Sequence, residues 1–261
     1  MIKKFCYKCG ALEEDKGPLI EGLCQDCFSF ENPLIKVPDE LSLKTCGRCG
    51  AYYLGGEWHD FEETGEYPLF EPARELVCTK TRVAQKTPAG LKYVDVEDTD
   101  QVRLEFRPEL IYPDIRVEVI ARGKISESQE SPQEAREVVR VEVKRTTCDV
   151  CSQKSAGYYE ALLQVRGEED LSRELLSDIF HKLEDQTLDE QSKNREEFVS
   201  KIEEKHGGLD LYTSSAGLAR HLAGVLKSEY GAKIDESAKL IGQTHDGQKK
   251  YRVSVVARLP D

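Results

Sequence analysis

Eight of the nine cysteines in this 261-residue chain stand in four C-x-x-C pairs: Cys6/Cys9, Cys24/Cys27, Cys46/Cys49 and Cys148/Cys151. A C-x-x-C turn aims two sulfurs at one point, and four thiolates at about 2.3 Å complete the tetrahedral shell that zinc prefers. Four pairs therefore imply two zinc ions. Cys6, Cys9, Cys24 and Cys27 are near enough in sequence for one local site, with Gly10 and Gly22 suited to its tight turns. Cys46, Cys49, Cys148 and Cys151 follow by elimination as the second, closed by a returning chain. A cross-braced arrangement, with pairs one-and-three and two-and-four sharing ions, stays open. A redox dithiol needs one poised pair rather than eight thiols, and iron is the other metal that four thiolates suit.

A catalytic zinc keeps one position open for water. Here every paired ligand is a cysteine, so both sites read as structural. The histidines (His59, His181, His206, His221 and His245) are scattered and form no H-E-x-x-H. No P-loop, dinucleotide glycine fingerprint or nucleophile elbow occurs. The expectation is a protein that is not an enzyme, with no catalytic residue and no small-molecule substrate. Cys78, left over, reads as a small buried hydrophobe.

The elements that must position these sulfurs follow from periodicity. Phe70–Thr87 begins as a helix and is the most basic short stretch. Val102–Phe106, Ile115–Gly123 and Arg136–Cys148 alternate like strands. Lys124–Glu134, polar and holding Pro132, suits an exposed hairpin loop. After Cys151 the pattern predicts a strand over Tyr158–Gly167, then helices over Leu171–Glu184 and Glu196–Gly208. A short strand over Leu209–Thr213, a helix over Ser214–Ala232 and a hairpin turning on Asp246-Gly247 follow. The fold class expected is α+β: an N-terminal zinc-knuckle region with two four-cysteine sites, a β-rich insert and a C-terminal α/β sandwich module. The expected bounds are 1–90 for the zinc region, with 146–152 completing its second site, 91–147 for the insert and 153–261 for the module.

Length allows one large or two ordinary domains of about 100 to 150 residues. The start of the chain, MIKKFCYKC, has no apolar run behind its lysines, so no signal peptide is expected. No stretch approaches the roughly 18 apolar residues of a membrane span. A cytoplasmic protein with reduced thiols is the expectation, and it favours metal over disulfides. The net charge of -12 argues against non-specific coating of nucleic acid, so any RNA contact must be local. The candidates are Lys44 and Arg48 beside the third cysteine pair, Trp58, the run Lys80, Arg82 and Lys86, and Arg166 on the Tyr158–Gly167 strand. Zinc knuckles hold basic and aromatic side chains against phosphates and unstacked bases. Exposed lysines are more often only solvated, and a lone tryptophan is more often core. On the strand, Tyr158, Leu162, Gln164 and Arg166 share one face, whereas Tyr159, Leu163 and Val165 share the face expected beneath a helix.

Several strings resemble one known family: the C-x-x-C-G start, the later CGRCG followed by Tyr52, Tyr53 and Trp58, CDVCSQKSAGYYEALLQVRG from Cys148, and GGLDLYTSSAGLARHLAGVL from Gly207. They are similar to the nonsense-mediated-decay protein three family, whose eukaryotic members are export adaptors of the large ribosomal subunit. The resemblance covers nearly the whole chain. It implies binding to the nascent large subunit on the face that later meets the small subunit, through ribosomal RNA and ribosomal proteins, and it matches the eight paired cysteines to the family's zinc ligands. Eukaryotic members continue with SH3-like and OB-like modules and a tail of transport signals, whereas this sequence ends at Pro260-Asp261. A short, archaeal-type form is therefore expected, monomeric, acting in subunit maturation or against premature subunit joining. Two other readings remain: a zinc-scaffolded adaptor that binds only proteins, and a zinc or thiol enzyme of nucleic-acid metabolism.

Overall fold

The computed structural model describes residues 3–61, 65–88, 90–126, 129, 131–243 and 249–260, with Lys249 and Lys250 given by backbone alone. It forms two units, 1–146 and 147–261.

The first unit runs α1 (Glu13–Lys16), α2 (Gln25–Glu31), β1 (Ile35–Lys36), β2 (Glu40–Cys46), β3 (Tyr52–Leu54), β4 (Glu57–His59), α3 (Phe70–Lys80), β5 (Arg82–Thr87), β6 (Gly90–Asp95), β7 (Val102–Ile111), β8 (Asp114–Gly123) and β9 (Gln133–Thr146). One sheet has the order β4-β3-β2-β9-β8-β7, and β1-β5-β6 form a second. The zinc region and the 91–147 segment thus share a sheet, because β2 and β9 pair in parallel from Glu40↔Arg140 to Cys46↔Thr146. Burial of Leu43, Ile115, Val117, Val139 and Val141 against Ala73 and Val77 of α3 closes the core beneath it. The basic stretch after Phe70 stays helical only to Lys80; Val83 and Ala84 then enter the core from β5, next to β1. The segment expected as an exposed loop after Lys124 is partly folded in. Ile125 is buried, and the buried Gln129 Oε1 accepts from the Ile125 and Ser126 amides at 2.8 Å each.

The second unit runs α4 (Asp149–Ser155), β10 (Ala161–Arg166), α5 (Arg173–Lys193), β11 (Val199–Lys205), β12 (Gly208–Thr213), α6 (Ala216–Tyr230), β13 (Lys233–Gln243) and β14 (Lys249–Arg258). Its sheet order is β11-β12-β10-β14-β13. Alternate residues of the central strands (Ala161, Leu163, Val165, Leu211, Val255) pack against Leu222 and Leu226 of α6 and Ile179 and Leu183 of α5. Ser215 caps α6 by accepting from the Leu218 amide at 3.0 Å, and Gly231 ends it in the left-handed conformation.

The helix expected over Glu196–Gly208 is a strand. Lys205 pairs with Gly208 across a two-residue turn in which His206 and Gly207 both have positive φ, 52° and 66°. Such turns match the twist of a hairpin and join β11 to β12. The apolar spacing of Phe198, Val199 and Ile202 imitates a helix, but pairing with β12 satisfies the backbone instead. The turn expected at Asp246-Gly247 lies outside the described residues.

Candidate metal centres and nucleic-acid interface

The first cysteine pair sits in a tight turn. The Cys6 amide donates to the Ala11 carbonyl at 2.8 Å, and the Gly10 amide returns to the Cys6 carbonyl at 2.8 Å. The second pair opens a helix: Cys24 is the N-cap of α2 and Cys27 lies in its first turn. The four Sγ atoms of Cys6, Cys9, Cys24 and Cys27 lie within 4.8 Å of one another. Sulfurs at the corners of a tetrahedron around zinc stand about 3.8 Å apart, given a bond of about 2.3 Å; Cys9 and Cys24 are at 3.7 Å.

The second group repeats the plan. The Cys46 amide donates to the Ala51 carbonyl at 2.7 Å and the Gly50 amide to the Cys46 carbonyl at 3.0 Å, so both turns share the string C-x-x-C-G-A. Cys148 is the N-cap of α4, and its Sγ accepts from the Cys151 amide at 3.4 Å. Cys46, Cys49, Cys148 and Cys151 bring their sulfurs within 4.8 Å. The pairs thus combine one-with-two and three-with-four, not cross-braced.

The donor chemistry fits a divalent ion. Burial pushes the Cys6 thiol up, but amides of Cys24, Cys9 and Lys8 and the Cys9 side chain outweigh it, leaving it lowered to about 6. Burial and the sulfurs of Cys24, Cys9 and Cys6 push Cys27 up to about 12. Four thiols around one point therefore cannot all ionise alone, and a dication resolves the conflict by deprotonating coordinating thiols. At Cys148 an Arg195 Nη2 donates to Sγ at 3.5 Å, a partner that orients and stabilises a thiolate. Sequence reasoning missed Arg195, since no spacing connects it to Cys148. Cys78 belongs to neither group; burial, with Glu97 and Glu75 nearby, raises its thiol.

Of the residues expected at an RNA surface, Lys44 and Trp58 come together. Lys44, Tyr53 and Trp58 stand opposite one another across β2, β3 and β4. Lys44 Nζ lies 5.4 Å from the Tyr53 ring centre, and Tyr53 meets Trp58 edge-on at 5.4 Å. Arg48 is exposed in the third cysteine turn, and Lys80 is exposed at the end of α3. Arg82 and Lys86 already have counter-ions, Asp95 and Glu21. Arg166 is a correction: its side chain is only 13% exposed, pairs with Asp210 and donates to the Val165 and Leu209 carbonyls at 2.8 and 3.0 Å. Those bonds knit β10 to β12, so this guanidinium is structural. From Ala161 on the strand divides as expected, with Leu163 and Val165 buried and Leu162 and Gln164 half-buried, but Tyr159, ahead of the strand, lies against Tyr212 and Arg252 on the other face and not beneath a helix.

Two four-cysteine centres, each made from a knuckle and a helix start, are each able to hold a metal ion. Residues 6–156 match the family model for the NMD3 N-terminal domain, and residues 158–259 match that for the NMD3 second domain. The chain belongs to the NMD3 family. All eight paired cysteines fall within the N-terminal match. No curated protein matches the chain. Among the described residues, no helix is long and apolar enough to cross a membrane.

Proposed function

We propose that the chain binds the large ribosomal subunit as a zinc-scaffolded maturation or anti-association factor, acting by occupancy and not by catalysis. Family membership supports the ribosomal reading. The observation that carries it to particular atoms is the row Lys44, Tyr53 and Trp58 beside the third cysteine turn, where a cation and two rings offer a phosphate contact and a stacking surface. Each centre would hold zinc through its four thiolates and keep these strands rigid. Bound zinc supplies structure here, because four sulfurs leave no position for water.

The test is sedimentation of the zinc-loaded protein with separated ribosomal subunits at physiological salt. Comigration with free large subunits, and about tenfold weaker binding by a Lys44→Ala, Trp58→Ala variant, agrees with two lost contacts of modest size. The protein-only adaptor is favoured by the intramolecular pairing of Arg82 and Lys86 and by the acidic balance. Failure of the zinc-loaded protein to bind any subunit would put that reading first.

A further inference from the structure

We infer that the uncovered face of the sheet in the second unit is a binding surface for single-stranded RNA, centred on Lys233, Arg258, Lys239 and Arg252. This extends the reading of the chain as a ribosomal RNA binder and rests on it. Alternation turns Leu163, Leu211 and Val255 toward α5 and α6, which sends the even-numbered residues of β10, β12 and β14 to the opposite face.

On that face cations stand in register. Arg166 is opposite Arg258, and Arg258 is opposite Lys233, giving three cations on three neighbouring strands. Neighbouring strands are only about 4.8 Å apart, and like charges directly opposite repel. Arg166 has Asp210 as its counter-ion; among the described residues Arg258 and Lys233, both exposed, make no ion pair. Farther along the same strands Lys239 is opposite Arg252, and these two also make no ion pair among the described residues.

The sheet of the first unit shows the contrasting solution. Several of its cations are matched by acids: Arg116 by Glu109, Arg122 by Glu134, and Arg140 by Asp114. Two cation pairs without an ion-pair partner among the described residues, on a chain of net charge -12, leave an anion from outside room to bind.

Aromatic groups beside the Lys239 and Arg252 pair point to the kind of anion. The Arg252 guanidinium lies 4.1 Å above the Tyr159 ring, and Tyr159 meets Tyr212 edge-on at 4.8 Å. Arg252 Nε is buried and makes no hydrogen bond among the described residues. Half-buried rings and a guanidinium plane stack bases, while flanking cations hold phosphates. Lys233 and Lys239 are separated by about 20 Å along β13, enough for several nucleotides.

The experiment measures binding of the full zinc-loaded chain to a fluorescent twelve-nucleotide oligouridine and to large subunits, across a salt series. The variants are Lys233→Gln, Lys239→Gln, Arg258→Gln combined, and Lys44→Ala, Trp58→Ala. The inference expects the triple variant to bind oligouridine at least about tenfold more weakly, with a salt slope shallower by about 2, as the loss of three phosphate contacts gives. An unchanged affinity and slope, with wild type binding, overturns it. Loss confined to the Lys44→Ala, Trp58→Ala variant overturns it as well, yet leaves the proposed function standing. A triple variant that loses large subunits but keeps oligouridine makes the face a protein dock and also overturns it. Wild type that binds neither probe overturns both readings. Should the triple variant fail to fold by circular dichroism, the single variants Lys239→Gln and Arg258→Gln carry the same test, each expected to reduce the slope by about 0.7.

Discussion

The Gly47 amide donates to the Thr146 carbonyl at 2.8 Å, fastening the third cysteine turn to the end of β9. That bond continues the parallel ladder of β2 and β9 one step past Cys46↔Thr146. Cys148 follows two residues later as the N-cap of α4, so the ladder aims the returning pair at the waiting turn. Non-local strand pairing, and not the cysteines alone, places the second set of sulfurs.

The turn itself is tuned for glycine. Gly50 has φ 87°, and a methyl there would stand 3.2 Å from the Phe61 ring; Gly10 has φ 74° but open space around it. Gly50→Ala should destabilise its turn by about 1–3 kcal/mol, and Gly10→Ala by less. Timed release of zinc to a chelator should show one of the two ions leaving faster in Gly50→Ala.

Asp114 is held by Arg140, whose Nε and Nη2 donate at 3.0 and 2.6 Å, and by the Val143 amide at 3.3 Å. The Arg140 bonds keep its carboxyl below the usual range against the opposing effect of burial. A depressed folded value means stability that is present above the unfolded pKa of about 3.9 and lost as pH falls through the folded one. Asp114→Asn should lower Tm at pH 7, by roughly 2–4 °C, and the gap to wild type should narrow in acid.

Glu203 makes the same kind of statement for the second unit. Lys201, Lys205 and the Tyr212 hydroxyl lower it to about 2. Its contribution is complete above about pH 4.3 and fades as pH falls toward 2. In Glu203→Gln the acid side of the Tm profile should be flatter than in wild type across that window.

Leu222 is fully buried in α6 against the sheet. Leu222→Ala leaves a cavity and should cost about 2–5 kcal/mol, read from denaturant unfolding. The neighbouring cap is smaller in effect: Ser215→Ala should cost about 1 kcal/mol.

Chemistry carried by short spacing was legible. The C-x-x-C turns, the glycines after Cys9 and Cys49, and the Ser215 and Gly231 ends of α6 depend on a few adjacent residues, and their physics is local. What was hidden depends on partners far along the chain. Val199–Lys205 carries helical spacing yet pairs as an outer strand, because β12 offers it a complete ladder across the His206-Gly207 turn. Arg166 looked like a surface cation until Asp210 and the Leu209 carbonyl of the neighbouring strand were brought to it. The cation rows on β13 and β14 were equally invisible, since strand order decides which charges stand opposite.

The central claim is that eight cysteines make two structural zinc centres. Native mass spectrometry of the full chain, purified without added metal and under reducing conditions, tests it most directly. The account predicts a mass increased by two zinc ions, with one ion lost in Cys9→Ser and one in Cys49→Ser. A chain carrying no metal, or holding its cysteines as disulfides with no loss of folded structure, would contradict it.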